Sequence, residues 1–580
     1  MHVKPHRVVL FWHMHQPDYR NGGGIYQQPW TYLHAIKDYT DMAAHLECAQ
    51  KVRAVVNFTP VLLDQINDYL VNIDAYLSRK HSDTCPVQEL VQSLKDPLLS
   101  ALVTPSLNTD VDYQLGLIES CLKVHPQHAI ERYSAYSSLA SFAQELLKHP
   151  QRIPYVREAF ISDLLMWYHL VWMGETIKLE DFRFMRFVDQ GNNFSLQQRK
   201  ELLMMIRDHL ASIIPRYRAL AESGKVELSM TPYAHPIAPL LFDLHSASQA
   251  IPDISLPEST HYPGGEQRMA WHIEQGLAVF EKNFNRRPVG CWPAEGAIDE
   301  STLRLLDDYD FQWAASGGTV LRHSLAPSLH SIGQVPHAKL HYLYQPENRN
   351  TACFFRNDEL SDLIGFTYSS WHADDAVADL VQRLENIAKQ FADDSEACTV
   401  IALDGENAWE YFPNNGLYFL RALYKRLGGH RKLQLTTFSE LLSEVEKPKR
   451  ENLPNIVAGS WVHGTLRTWI GNQDKNRAWD MLVDAKLCVD RELSRGNLNH
   501  DQIQAVQYKL AVCEGSDWFW WFGDDNPMQT SLEFDRLFRL QLMSLYKLLE
   551  QPSPDYLAEP FTHLHASADL PLGGTMRKAE

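Results

Sequence analysis

Two carboxylic acids stand out because each directly follows a short apolar run. Glu295 lies in WPAEGA after the run PVGCW (288–292), and Asp404 follows TVIAL (399–403) in LDGENAWE. Cleavage of a glycosidic bond requires two facing carboxyl groups, one to attack or to activate water and one to protonate the leaving oxygen. The alternative for each acid is that it only caps the following helix. The sequence therefore offers a carboxylate pair suited to acetal chemistry.

Polar residues that follow two other apolar runs leave the kind of chemistry open. The run RVVLFW (7–12) leads into HMHQP, with His13, His15 and Gln16, and VELSM (226–230) leads into TPYAHPI, with His235. Two histidines in an H-x-H pattern can bind zinc, as in metal-dependent hydrolases built on barrels. They can also form hydrogen bonds to sugar hydroxyl groups, or one of them can be packed in the core. The residues alone do not decide between these interpretations.

Aromatic residues are abundant, with 15 Trp and 24 Tyr in 580 residues. The apolar C–H faces of a sugar ring can stack on a flat aromatic side chain while its hydroxyl groups stay free. We therefore predict sugar contacts, with core packing as the alternative, for Trp292, Trp409, Trp461 and Trp469. Two polar residues close to these segments complete the set of predicted substrate contacts, Arg356 in FFRNDELSD and His463 in SWVHGTLRTWI.

The elements that must position these residues are short apolar runs separated by long helical patterns. Strand candidates lie at 7–12, 52–58, 226–230, 288–292, 311–315, 363–368, 399–403 and 432–437. Patterns with a 3.6-residue period lie between several of them, for example at 267–284 and 373–391. This alternation implies parallel strands joined by helices, and reactive residues after the strands then meet on one face. Seven or eight such units fit an α/β fold of the β/α-barrel type better than an open sheet.

The rest of the chain is mostly helical in pattern. Residues from about 60 to 220 carry few strand candidates, so we predict a helical insertion between early barrel strands. From residue 441 onward the pattern is again helical, as in RAWDMLVDAKLCVDREL. We therefore predict a catalytic barrel over 1–440 and a C-terminal helical domain over 441–580.

Composition and charge limit the class of partner. Hydrophobic residues make up 45% and charged residues 22%, as in soluble globular proteins, and the net charge of −18 disfavours nucleic acid or an anionic membrane as partner. The N-terminal segment lacks a signal-peptide pattern, and no apolar run is long enough to span a membrane. The eight cysteines are scattered without a C-x-x-C motif, so we expect reduced thiols and a cytoplasmic protein.

Five segments resemble, in the same order, the signature regions of glycoside hydrolase family 57. They are HQP (15–17), GKVELSMTPYAHPI (224–237), GCWPAEGA (290–297), LDGENAWE (403–410) and SWVHGTLRTWIGNQDKNRAWD (460–480). The resemblance covers essentially the whole chain and implies an incomplete (β/α)7 barrel with helical insertions and a C-terminal helical domain that completes the active-site cleft. It also implies that Glu295 is the nucleophile and Asp404 the general acid/base.

The amino-acid sequences of these regions most resemble those of the α-amylase and amylopullulanase branch of the family. This implies retaining cleavage of α-1,4 bonds in α-glucans such as starch or glycogen, without a metal or other cofactor. His13, His15 and His235 would then face the sugar at the cleavage point. A retaining mechanism places its two carboxyls about 5 to 5.5 Å apart. It also requires a raised pKa at Asp404, which we expect from burial and from the charge of Glu295.

Three alternatives stay open at the level of sequence. An α-glucan transglycosylase, either a 4-α-glucanotransferase or a branching enzyme, would use the same residues. A metal-dependent barrel hydrolase would use His13 and His15 as ligands. A non-catalytic glucan-binding protein would keep the aromatic residues, but the presence of both acids disfavours it. Cleavage of α-1,6 bonds, chain-length preference and oligomeric state do not follow from the sequence.

Overall fold

The structure is a computed structural model that describes residues 4–78, 91–326, 329–391, 397–443 and 450–563. Within these ranges, ten strands form one sheet. They are β1 (His6–Met14), β2 (Ala54–Phe58), β3 (Val226–Met230), β4 (Gly290–Cys291), β5 (Trp313–Gly317), β6 (Tyr344–Pro346), β7 (Ala352–Arg356), β8 (Cys398–Asp404), β9 (Leu433–Leu435) and β10 (Glu451–Leu453).

Seven of the described strands close into a parallel barrel. The ring runs β1-β2-β3-β4-β5-β7-β8 and returns to β1, and every pairing in it is parallel. The three other strands lie outside the ring: β6 is antiparallel to β7, β10 pairs with β6, and β9 pairs with β1. The predicted (β/α)7 barrel is confirmed.

The alternation of side chains along β1 shows which residues point inward at the carboxyl end of the barrel. Val9 and Phe11 lie inside the ring, in one buried cluster with Trp292 and Trp313. The residues that alternate with them, Val8, Leu10 and Trp12, belong to the larger cluster that packs under the surrounding helices. Because successive side chains of a strand point to opposite faces, His13 is the next residue to point inward. It does so beyond the packed interior, at the carboxyl end of the ring.

Helices cover the outside of the ring and form the insertion between β2 and β3. Those around the ring are Trp30–His34, Thr40–Cys48, Ala238–Phe242, Gly265–Phe284, Glu300–Asp308, Gly318–Leu325, Asp358–Asp362, Ala373–Gln390, Leu417–Gly428 and Phe438–Ser443. Those of the insertion are Pro60–Ser78, Pro97–Val103, Val111–Ser120, Ser134–Lys148, Glu158–Val171, Glu175–Glu180, Phe182–Gln190 and Leu196–Glu222. The helices predicted at 267–284 and 373–391 and the helical character of about 60–220 agree with these bounds, outside the undescribed residues 79–90.

The strand predicted at 363–368 is wrong, and a strand just before it was missed. Residues 363–368 continue the helical course of Asp358–Asp362, which begins where the Asn357 side chain accepts a hydrogen bond from the backbone of Leu360. Within the run, Ile364 and Tyr368 are buried while Phe366 is exposed, which is helical spacing. The ring strand in this part of the chain is instead β7, whose five residues are all buried.

The C-terminal part is helical and packs on the barrel. Its helices are Gln473–Arg495, His500–Cys513, Ser516–Trp521 and Met528–Leu548. The sheet itself extends past residue 440, because β10 pairs with β6. Seven cysteines of the described residues are free thiols, and Cys85 lies outside those residues. Among the helices that the structure describes, none is long and apolar enough to cross a membrane.

Candidate active site

A pocket at the carboxyl ends of the barrel strands brings together five of the residues predicted from the sequence. His13, His15, Gln16, Glu295 and Asp404 all line it. Glu295 and Asp404 are far apart in the sequence, but β8 pairs directly with β1 and the loop after β4 reaches the same face. The two acids therefore share one pocket, as the positions after their apolar runs predict.

Glu295 is held in an unusual backbone conformation by a residue from the C-terminal part of the chain. Its φ of 57° lies in the left-handed region, which a non-glycine residue adopts only when its surroundings compensate the strain. The backbone N–H of Trp461 donates to the Glu295 carbonyl across 3.1 Å. The indole N–H of the same residue donates to Oε2 of Glu295 across 2.8 Å. Trp461 thus fixes both the backbone and the carboxylate of Glu295.

The position of Trp461 depends on two backbone contacts. Gly459 and Ile298 exchange two backbone hydrogen bonds of 3.0 and 3.2 Å, which align the segment before Trp461 with the loop after β4. At the end of β5, a Cβ added to Gly317 would lie 2.6 Å from the Cα of Trp461. Only glycine permits this close approach.

Asp404 ends β8, where Val400 and Ala402 already point into the barrel interior. By the same alternation as in β1, Asp404 is the next inward residue. The Asn407 side chain donates to its Oδ2 across 2.8 Å, and the backbone N–H of Gly405 donates to the carbonyl of His13 across 2.6 Å. These bonds place the carboxyl of Asp404 beside the end of β1.

Burial dominates the electrostatics of the two acids. It raises the pKa of Glu295 well above its ordinary value, the charge of Asp404 raises it further, and the bond from Trp461 lowers it. Burial also raises the pKa of Asp404, while Asn407, His15 and Arg356 favour its ionised form. Because the charges of Glu295 and Asp404 repel each other, each disfavours ionisation of the other, and the charge of Asp517 adds to the rise at Asp404.

Two of the predicted histidines form a buried chain of hydrogen bonds. The Asn57 amide N–H donates to Ser229, so its oxygen faces His13 Nδ1 at 2.7 Å and requires a proton on that nitrogen. His13 Nε2 then accepts from His235 Nε2 across 3.1 Å, and His235 Nδ1 accepts from the Ser516 hydroxyl across 2.8 Å. Burial and the charge of His15 lower the pKa of His13 to about 3. His13 is therefore neutral and oriented.

His15 pairs with an acid that the sequence analysis did not select. Its Nε2 donates to both carboxylate oxygens of Asp517 across 2.9 and 3.0 Å, and both side chains are buried. Asp517 lines the pocket together with Glu406, two residues beyond Asp404. Oε1 of Glu406 accepts hydrogen bonds from Gln16 and Tyr39, but its buried Oε2 has no partner among the described residues. Burial and the charge of Asp404 raise the pKa of Glu406 well above its ordinary value.

Three of these groups lie close enough to be considered as metal ligands. His15, His235 and Asp517 each offer a donor atom within 4.8 Å of the others. The rings of His15 and His235 are stacked, however, with centroids 3.8 Å apart and planes at 18°. Imidazole binds zinc through an in-plane lone pair at about 2.0 to 2.1 Å, and two stacked rings do not direct their lone pairs to one point. The present arrangement fits hydrogen bonding better than it fits a metal.

Several predicted substrate contacts do not reach the pocket. Trp292, Trp409 and Trp469 are at most 1% exposed, so none presents a ring face to a sugar and their predicted stacking role is corrected. Trp292 packs on Phe11 in the barrel interior, and the indole N–H of Trp409 donates to the Gly405 carbonyl. Large apolar rings gain more free energy from such burial than from one face in water.

The three remaining predicted residues differ in their relation to the site. Trp461 contacts Glu295 through a hydrogen bond instead of covering the pocket as a sugar platform. The Arg356 guanidinium lies 5.2 Å from the centre of the Trp461 ring and donates a hydrogen bond to the Ala402 carbonyl. Arg356 therefore contacts residues that hold Glu295 and Asp404 in place, but it does not line the pocket itself. His463 is exposed and does not line the pocket.

The aromatic residues that do line the pocket are ones that sequence reasoning missed. Trp30 and Trp521 are each 7% exposed and belong to helices outside the barrel ring. Phe534 stacks on Trp521 with centroids 5.0 Å apart. The run DWFWWFG (517–523) carried a signal, because an acid lies directly before an aromatic cluster.

A closed parallel barrel with two buried carboxyls at the ends of its strands is the arrangement of a β/α-barrel enzyme. The sequence profile of glycosyl hydrolase family 57 matches residues 9–454. The chain belongs to this family and is thus an enzyme of a glycoside hydrolase family. No curated protein sequence is similar enough to count as a match.

Solved structures share the fold at low sequence identity. A GH57 branching enzyme from Thermococcus kodakaraensis is 14% identical, with a TM-score of 0.55 over 94% of this chain and 90% of that one. A GH57-type branching enzyme from Pyrococcus horikoshii is 15% identical, with a TM-score of 0.52 over 99% of both chains. The alpha-amylase AmyC from Thermotoga maritima is 14% identical, with a TM-score of 0.51 over 94% of this chain and 96% of that one.

Proposed function

We propose that the protein is a retaining enzyme that cleaves α-1,4-glucosidic bonds of α-glucans, with Glu295 as nucleophile and Asp404 as general acid/base. The observation that carries the proposal is that both buried acids line one pocket, where the indole N–H of Trp461 donates a hydrogen bond to Glu295. The pocket is also lined by Gln16, Glu406 and Asn407, polar side chains that suit the hydroxyl groups of a sugar.

In the first step, Asp404 gives its proton to the glycosidic oxygen as the bond between that oxygen and the anomeric carbon breaks. A carboxylate oxygen of Glu295 forms a new bond to the anomeric carbon from the opposite face, which gives a glycosyl ester. A bound substrate supports this proton distribution. The glycosidic oxygen stabilises protonated Asp404 by accepting a hydrogen bond, and the positive charge developing on the sugar stabilises ionised Glu295.

In the second step, Asp404 removes a proton from an acceptor hydroxyl group, whose oxygen attacks the anomeric carbon as the ester bond to Glu295 breaks. Two inversions leave the product with the α configuration of the substrate. If the acceptor is water, the reaction is hydrolysis. If it is a hydroxyl group of a second glucan, the reaction is transglycosylation. Family membership is compatible with both, because branching enzymes and an alpha-amylase share the fold.

Product analysis separates these two outcomes. We expect that maltoheptaose incubated with the protein gives only shorter sugars and one new reducing end for each bond cleaved. Products longer than maltoheptaose without a gain in reducing ends would instead assign a transglycosylase. Maltotriose released from pullulan would add α-1,6 cleavage. No change in any α-glucan would refute the proposed substrate class.

The hydrogen bond from Trp461 gives a pH-dependent prediction. This bond lowers the pKa of Glu295, so Trp461→Phe should raise that pKa and move the acidic limb of the kcat/KM profile to higher pH. A hydrogen bond to a charged group contributes about 1.5 to 3 kcal/mol, so its loss should lower kcat/KM by about 10- to 100-fold. Trp371→Phe, at an exposed position, is the matched control. An unshifted acidic limb in Trp461→Phe would show that the bond does not act on Glu295.

We also propose that the helical part after residue 440 completes the cleft, since it supplies Trp461 and Asp517 to the site. The boundary at residue 440 remains a prediction. A cytoplasmic location is likewise a proposal, supported by the free thiols of the seven described cysteines.

A further inference from the structure

Three segments from outside the barrel strands meet at the carboxylate of Glu533. Its Oε1 accepts a hydrogen bond from the Lys123 ammonium across 2.9 Å, and its Oε2 accepts one from the Gln28 amide across 3.0 Å. Glu533 lies near the start of the C-terminal helix Met528–Leu548, Lys123 follows the insertion helix Val111–Ser120, and Gln28 lies in the loop after β1. We call Gln28, Lys123 and Glu533 the clasp.

The clasp borders the same pocket as the two catalytic acids. Lys123 and Glu533 both line it, and their side chains are 18% and 32% exposed, so they face open space and not the core. Trp521 and Phe534, stacked on each other, line the pocket next to Glu533. The clasp and these aromatic rings therefore form a wall of the cleft that is built entirely from segments outside the barrel strands.

The charge of the clasp suits a neutral substrate. Lys123 is the one Lys or Arg among the pocket-lining residues that the structure describes, and its charge is paired with Glu533. A partly exposed ion pair of this kind adds little to the stability of a fold. Its main effect is geometric, because it ties positions 28, 123 and 533 together along the cleft.

We infer that the clasp limits how far an α-glucan chain extends from the cleavage point along the wall of Trp521 and Phe534. A chain that continues past this wall has to pass the Lys123–Glu533 bridge. The clasp is then a determinant of substrate length, and it takes no part in the bond-breaking steps. This inference rests on the proposed function, because it concerns glucan binding in the same cleft.

The test compares kcat/KM for maltotriose and maltoheptaose in the full-length protein. The double variant Lys123→Ala/Glu533→Ala should raise the maltoheptaose-to-maltotriose ratio by about 3- to 10-fold, because only the longer substrate gains contacts where the bridge stood. The exchanged pair Lys123→Glu/Glu533→Lys rebuilds the bridge and should return the ratio towards that of the wild type. Gln529→Ala is the control, since its bond to Glu119 joins the same two segments but lies at the exposed surface outside the pocket.

Three outcomes would count against the inference, and a fourth would count against the proposed function. An unchanged ratio in the double alanine variant would overturn the inference. The same holds if both substrates lose activity equally while Tm falls, because the clasp would then only support the fold. Failure of the exchanged pair to restore the ratio would also count against the bridge. If the wild-type protein acts on no α-glucan, the proposed function fails and the clasp has no glucan to limit.

Discussion

The variants Glu295→Gln and Asp404→Asn are each expected to lower kcat on amylose by several orders of magnitude while the fold is retained. Loss of a positioned acid/base alone costs about 10²–10⁴-fold, and loss of the nucleophile blocks the glycosyl ester. Both substitutions replace an acid by an amide of the same shape, so packing around the buried side chains stays nearly the same. Initial rates on amylose together with circular dichroism measure the two effects separately.

An activated substrate distinguishes the roles of the two acids. With α-maltosyl fluoride, the leaving group needs no proton, so Asp404→Asn should still form the ester while Glu295→Gln should not. The exposed substitution Glu359→Gln is the matched control and should behave as the wild type. Near-normal turnover of amylose by either active-site variant would contradict the assignment.

A second large effect is expected at Glu514, on stability instead of on chemistry. Glu514 is buried and accepts hydrogen bonds from Arg268 at 2.7 Å, from His272 at 2.8 Å and from Tyr262. Arg268 and His272 belong to the barrel helix Gly265–Phe284, whereas Glu514 follows the C-terminal helix His500–Cys513. Glu514→Ala leaves the buried Arg268 charge unpaired and should lower the free energy of unfolding by about 3 to 5 kcal/mol.

The same cluster predicts how stability depends on pH. Burial alone would raise the pKa of Glu514, but Arg268 and His272 overcome this and lower it from 4.5 to about 2. Because the folded-state pKa is depressed, the stabilisation is fully present above about pH 4.5 and is lost as the pH falls towards 2. Urea unfolding should therefore show a difference between wild type and Glu514→Gln that shrinks over this range.

The control for the cluster is the exposed pair of Glu281 with Arg287, 3.7 Å apart at the end of the same barrel helix. Glu281→Gln should change the free energy of unfolding by less than about 1 kcal/mol. A Glu514→Ala variant as stable as this control would show that the buried cluster does not hold the C-terminal part to the barrel. A change in kcat/KM is expected as well, because Ser516 and Asp517 follow directly and contact His235 and His15.

Local sequence patterns were sufficient for the barrel and for the central part of the site. Apolar runs alternate with helical patterns, and in a parallel barrel this places Glu295 and Asp404 in one pocket. There are exceptions: β7 was missed, the strand at 432–437 lies outside the ring, and the apolar run 363–368 has the composition of a strand but its buried residues lie at helical spacing. The composition of a short apolar run does not distinguish a strand from a helix.

The outer part of the pocket could not be predicted, because its contacts join residues far apart in sequence. His15 and Asp517 are 502 positions apart, and no local pattern indicates their pairing. Contacts between distant residues also explain why sugar stacking was wrongly predicted for Trp292, Trp409 and Trp469. Proximity to a reactive residue does not show which face of a ring is buried, and Trp409 is covered by Trp12 from a distant strand.

The most direct test of the central claim is to identify the residue that carries the covalent intermediate. The wild-type protein would be treated with 5-fluoro-α-glucosyl fluoride, which slows breakdown of the ester, then digested and mapped by mass spectrometry. The account predicts one added sugar on the peptide that contains Glu295. A sugar attached to Asp404 would reverse the two roles. That result, or a product of inverted configuration formed without any labelled peptide, would contradict the account.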